Sequence, residues 1–253
     1  WWDQEDMWGT QAEYAALKPH DSKHEVFLVL GPWNHGEWDI TTRHLGVLDF
    51  GEAAGDVYRK TMEFPFFEKY LKGRPGFELR DVASFRTGVN QWERYDAWPP
   101  KVGFHAEDLY MTADGGLGTA APGVNGVGGK VETSYEADPA DPIPYRHRPI
   151  QATYGEGSKW RPWLVEDQRF VSGRKDLVNF STPVLDHDVT VTGDVAADLF
   201  AATTGSDADW VVKLIDVYPE DAPAATGGYQ LMIADESFHG RCRKSFERPE
   251  ATT

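Results

Sequence analysis

The stretch EVFLVLGPWNHG, Glu25 to Gly36, holds an unbroken apolar run, Val26 to Leu30, stopped by Gly31-Pro32. A short run that does not alternate and ends in breakers reads as a strand covered on both faces, as in a helix-flanked parallel sheet. Upstream, TQAEYAALK (Thr10–Lys18) is made of good helix formers, with a candidate cap at Thr10. Downstream, DVYRKTMEFPFFEKYLK (Asp56–Lys72) reads as a helix opened by an acid and closed by Gly73. Pro65 is predicted to kink or split it, because it removes a backbone donor and crowds the preceding turn. Helix, strand, loop and helix in succession is α/β organisation.

After Gly73 the pattern changes. VASFRTGVNQWERYDAWPP, DLYMTADGGL, DHDVTVTGDVAADLFAATT and DWVVKLIDVYPE read as short strands parted by Gly, Pro, Asp and Asn turns. That spacing predicts a β-sandwich. Between them, Gly115 to Gln168 is irregular and predicted to be an extended surface segment. The boundary is placed near residue 78: residues 1–78 form the C-terminal part of an α/β domain and residues 79–253 a β-sandwich. The opening WWDQEDMWGT lacks the loose polar character of an ordinary terminus, and the closing RCRKSFERPEATT has no final strand. Both ends are therefore expected to be cut from a longer chain, with the sandwich incomplete at its C-terminal side.

Composition excludes several classes of function. At 253 residues, 40% hydrophobic and 26% charged, the chain is globular and long enough for one large or two ordinary domains. Its net charge of −16 opposes binding to nucleic acid or anionic lipid, both of which need basic patches. No apolar run approaches the ~20 residues of a membrane helix. The single cysteine, Cys242, rules out an internal disulfide framework and a cysteine metal cluster. The eight histidines are spread along the chain, and neither metal nor cofactor is implied.

His35 is the first candidate for chemistry. It follows the strand signal by five residues, and loops beyond the carboxyl ends of strands are where catalytic groups gather in α/β sheets. An imidazole there can shuttle a proton near neutrality. A packing role beside Trp33 or Trp38 is the bland alternative. Asp3 precedes His35 by one helix and one strand, which suits an acid that holds the imidazole in the right tautomer. A helix cap or turn is its alternative role. Glu5 and Asp6 add two more carboxylates, which repel unless a cation such as a substrate ammonium or a Lys or Arg side chain neutralises them. No G-x-S-x-G elbow occurs, Ser206 stands in the wrong segment and order, and Cys242 lacks a supporting histidine and acid.

Together, WDQEDMWG, GPWNHG and FPFFEKYLKG, followed by a β-rich remainder, resemble the α-amino acid ester hydrolases. These belong to the cocaine-esterase-like and glutaryl-acylase-like serine hydrolases, a group related to the X-Pro dipeptidyl peptidases. The resemblance covers nearly the whole chain. GPW-x-H is shared widely in the group, and WDQED points to the amino acid ester hydrolases. It implies that Asp3 and His35 are the acid and base of a Ser-His-Asp triad whose serine lies outside this chain. Glu5 and Asp6 match members of a carboxylate cluster that binds the substrate α-ammonium. It further implies an α/β-hydrolase domain followed by a jelly-roll sandwich, export from the cytoplasm, a homotetramer, and acyl transfer from α-amino acid esters and amides, β-lactam antibiotics included. On this reading the 253 residues alone are inactive. Two other readings remain: an X-Pro dipeptidyl peptidase or cocaine-esterase-like acyl esterase, and a non-catalytic carbohydrate-binding β-sandwich whose aromatic side chains stack on sugars.

Overall fold

The structure, a computed structural model, describes Trp2 and residues 7–121, 132–223 and 225–250. Its contacts divide the chain into two compact units. The larger comprises Trp1–Asp96, Gln151–Phe170 and Asp194–Thr253, and the smaller comprises Ala97–Ile150 and Val171–Gly193.

In the larger unit, α1 (Gly9–Leu17) runs into a 3-10 turn, Lys18–His20, and then into β1 (Leu28–Leu30). Trp8 is the N-cap of α1, without a side-chain capping bond, so Thr10 lies inside the helix rather than at its cap. A small hairpin, β2 (His44–Leu45) and β3 (Leu48–Asp49), precedes α2 (Ala54–Tyr58). The helix expected over 56–72 is divided: α2 passes through a π-helical turn, Arg59–Glu63, into α3 (Phe64–Lys72). Pro65 sits in the first turn of α3, directly after the π-helical turn, and Gly73 closes the helix at φ 64°.

The sheet that anchors the site joins β1 to β4 (Val82–Arg86) and β5 (Gln91–Tyr95), in the order β1-β4-β5. β1 and β4 are parallel, with Leu28 opposite Val82 and Leu30 opposite Ser84. β4 and β5 form an antiparallel hairpin, from Val82 opposite Tyr95 to Arg86 opposite Gln91. Two expectations change here. The apolar run yields a strand of only three residues, and of these only Leu28 is buried, with Val29 and Leu30 half-buried. Val82 to Phe85, expected to alternate as a sandwich strand, instead forms the central strand and is buried residue by residue. Small Ala83 and Ser84 permit close packing there, and a central strand is covered on both faces whatever its alternation.

The smaller unit carries the hairpin β6 (Tyr110–Met111) and β7 (Leu117–Gly118). Returning to the larger unit, α4 (Trp160–Leu164) interrupts the stretch expected to be irregular. A long ribbon follows, β8 (Asp209–Val217) paired antiparallel with β9 (Gln230–His239), with a register shift at Leu214/Ile215. β9 has no clear signal in the sequence, because its apolar residues cluster at one end and its acids at the other. Residues 186–204, expected to contribute strands, form none and are mostly exposed. The described strands pair as one three-stranded sheet and three two-stranded ones.

The core of the larger unit gathers residues from distant stretches: Trp2, Leu45, Phe50, Phe85, Leu164 and Tyr229, with Trp33 and Trp92 packed against it. Full burial of each large side chain stabilises by roughly 1.5–3 kcal/mol. Trp2 stacks on Phe50 at 6.0 Å, and Phe85 meets Phe50 and Trp92 edge-on.

Candidate active site

β1 ends at Leu30, and Gly31-Pro32 turns the chain out of the sheet into Trp33-Asn34-His35-Gly36. His35 therefore stands beyond the carboxyl end of a strand in a parallel pair, the edge at which α/β folds place their chemistry. Its side chain is exposed and meets Trp38 edge-on, ring centroids 6.1 Å apart.

The turn that presents His35 is closed twice by one residue. The backbone N–H of Glu37 donates to the carbonyl of Asn34 at 3.1 Å, and Glu37 Oε2 accepts the Asn34 N–H at 3.0 Å. The second bond spans the same three-residue separation as the reach-back of a capping box, here across the turn rather than at a helix start. Gly36 occupies the left-handed region at φ 74°, which a residue with a Cβ adopts only at a cost. Glu37 is 3% exposed, and its other oxygen, Oε1, lies 3.6 Å from Nε of Arg161 in α4. Burial pushes the Glu37 carboxyl above its usual range, against the Asn34 N–H and the Arg161 charge, which pull it down.

The far side of the turn is tied as firmly. Arg59 Nη1 donates to the Trp38 carbonyl at 2.6 Å, and Thr41 donates its hydroxyl to Asp56 at 2.7 Å. Asp56 in turn pairs with Arg59. The π-helical turn after α2 thus holds the segment after His35 at Trp38, next to Glu37, which faces Arg161 of α4.

On the near side, the backbone N–H of Trp2 donates to the Trp33 carbonyl at 3.3 Å. Trp2 immediately precedes Asp3, and Trp33 lies two residues before His35. Asp3, Glu5 and Asp6 themselves lie outside the described residues. Glu37 and Arg161 were not anticipated as part of this site. The pattern Asn34-x-x-Glu37 is the signal that points to Glu37, since an acid three residues after a capping-type side chain reaches back to its N–H. Nothing local points to Arg161, 124 positions further on (161 − 37). Among the described residues, no group of three or more His, Cys, Asp or Glu is placed to hold a metal ion, and no helix is long and apolar enough to cross a membrane.

With this geometry in hand, the relatives are informative. Residues 76–248 match the X-Pro dipeptidyl-peptidase C-terminal non-catalytic domain. The cocaine esterase of Rhodococcus sp. (strain MB1 Bresler) is 29% identical over 233 residues, 88% of this chain and 37% of that protein. A solved aminopeptidase from the marine sediment archaeon Thaumarchaeota archaeon is 41% identical with a TM-score of 0.89, over 99% of this chain and 40% of its own. A solved α-amino acid ester hydrolase is 36% identical with a TM-score of 0.85, over 100% of this chain and 42% of its own. The chain spans about two fifths of the length of these relatives. It belongs to the family of the X-Pro dipeptidyl-peptidase C-terminal non-catalytic domain, within the cocaine-esterase-like group of hydrolases.

Proposed function

We propose that this chain is part of a serine hydrolase that cleaves esters or amides of α-amino acids, β-lactam antibiotics with an α-amino acyl group among them. A serine in the rest of the protein attacks the carbonyl, and His35 accepts its proton and returns it to the leaving group. Asp3 orients the imidazole. Glu5 and Asp6 hold the substrate ammonium and so position the reacting carbonyl. Water, or an amine nucleophile, then removes the acyl group. The β-rich residues 79–253 belong to a jelly-roll sandwich, and the assembled enzyme is an exported homotetramer.

The observation that carries this reading is the bond between the Trp2 N–H and the Trp33 carbonyl, which joins the segment leading into Asp3 to the loop that presents His35. The names of two solved relatives, an aminopeptidase and an α-amino acid ester hydrolase, both describe substrates with an α-amino group. That shared chemistry supports a carboxylate pair reading an ammonium, and it favours an amino acyl substrate over a plain acyl ester.

The test is turnover of phenylglycine methyl ester by the full-length protein and its His35→Ala variant. Loss of the general base is expected to lower kcat by about 10⁴-fold or more. Unchanged turnover would remove His35 from the mechanism.

A further inference from the structure

We propose that Glu37, supported by Arg161, is the positioning residue that locks the turn carrying His35, so that a segment matched to a non-catalytic domain sets the aim of the catalytic base. The inference rests on His35 acting as that base. Glu37 touches no reacting atom on this reading; it acts through the backbone on either side of His35.

The geometry supports a lock rather than a surface ion pair. Asn34 and Glu37 are each 3% exposed, so the bond between them is shielded from competing water. A charge-assisted bond to a backbone N–H is roughly twice as strong as a neutral one. A buried carboxylate costs free energy unless it is paired; Glu37 Oε2 accepts the Asn34 N–H, and Oε1, without a hydrogen bond among the described residues, has the Arg161 guanidinium 3.6 Å away as its counter-charge. Without the carboxylate, the Asn34 N–H would lose its acceptor, and across the turn around His35 and Gly36 the Glu37 N–H bond to the Asn34 carbonyl would be left to hold alone. A displacement of about 1 Å in a catalytic group can cost a hundredfold in rate.

Arg161 makes the lock long-range. It belongs to α4, whose Trp160 and Leu164 sit in the core beside Leu45 and Phe50, so the guanidinium is delivered by a packed helix. Its own side chain is 46% exposed and replaceable without opening a cavity.

The experiment measures kcat and KM for phenylglycine methyl ester in the full-length protein. Glu37→Ala is expected to lower kcat about tenfold with KM within about twofold, because binding groups are untouched while the base is misaimed. Glu37→Gln keeps an oxygen for the Asn34 N–H and is expected to recover most of that loss. Arg161→Met is expected to match Glu37→Gln, and the double variant to be no worse than either single one, since both remove the same charge pairing. A kcat within about twofold of wild type in Glu37→Ala overturns the inference, as does a Gln variant that falls as far as Ala. If Glu37→Ala fails to fold, Glu37→Leu, which fills the space but offers the Asn34 N–H no acceptor, decides: a kcat about tenfold below that of Glu37→Gln supports the lock, and a kcat within about twofold of wild type overturns it. His35→Ala run alongside separates the two claims. Inactive His35→Ala beside fully active Glu37 variants sinks only the lock, whereas active His35→Ala sinks the proposed mechanism itself.

Discussion

Gly55, in the first turn of α2, packs so closely under the His35 loop that a Cβ built on it would stand 2.8 Å from the carbonyl oxygen of Trp38. The carbonyls of Ile40 and Glu37 would follow at 3.0 and 3.1 Å. All three are backbone atoms, so they cannot move aside as a side chain would. Gly55→Ala is therefore expected to destabilise by about 1–3 kcal/mol through overpacking, offset by about 1 kcal/mol of improved helix propensity. Urea denaturation of wild type and variant measures the difference. A midpoint equal to or above wild type would mean that the loop yields without penalty.

Phe85 joins the strand at the centre of the sheet to the aromatic cluster behind the site. It is 1% exposed and meets both Phe50 and Trp92 edge-on. Truncation to alanine leaves a cavity walled by rings that cannot collapse. The expected cost is about 3–5 kcal/mol, read as a lower thermal midpoint. Leu71→Ala, at a side chain 74% exposed, is the matched control and is expected to change stability by less than about 0.5 kcal/mol.

Asp21 ties the end of α1 to the segment that enters β1. Its carboxylate accepts the backbone N–H of Glu25 at 2.8 Å and that of Val26 at 3.1 Å, and pairs with Lys18 at 2.9 Å. The Glu25 N–H, Lys18 and the Val26 N–H lower its pKa to about 2. An unfolded aspartate titrates near 4, so the folded state binds this proton less readily than the unfolded state does. The stabilisation is complete above about pH 4 and fades as pH falls towards about 2. Asp21→Asn should accordingly be less stable than wild type at pH 6, with the gap closing as acid approaches pH 2. Parallel denaturation curves at several pH values test this; a gap that stays constant with pH would exclude the linkage.

Glu5 and Asp6 are the proposed ammonium site. Replacing them by Gln and Asn keeps their shape and removes both charges. Turnover of phenylglycine methyl ester is expected to fall about a hundredfold, while methyl phenylacetate, which lacks the amine, is spared. Equal losses on the two esters would favour a plain acyl esterase instead.

Much of the α/β part was legible in the chain because its signals are local. Pro65 and Gly73 mark helix ends by their own backbone constraints, and both act where the chain places them. The Gly31-Pro32 break puts His35 beyond a strand end for the same reason. The β-rich part was less legible. Residues 186–204 have the composition of strands without forming them, and β9 forms a strand without the alternation that announces one. A strand exists only when a partner supplies its hydrogen bonds, and the partner's identity is not written in the strand itself.

The same distinction divides the site. The order of residues determined by itself that an imidazole would follow a strand's end on a turn made flexible by Gly36, with an acid three residues after Asn34. Only the tertiary structure decided that β4 would lie between β1 and β5, and that Arg161 would reach Glu37 from a helix more than a hundred residues away. Turns and helix ends are set by forces acting over a few bonds. The pairing of a buried carboxylate depends instead on which distant element the core packs against it.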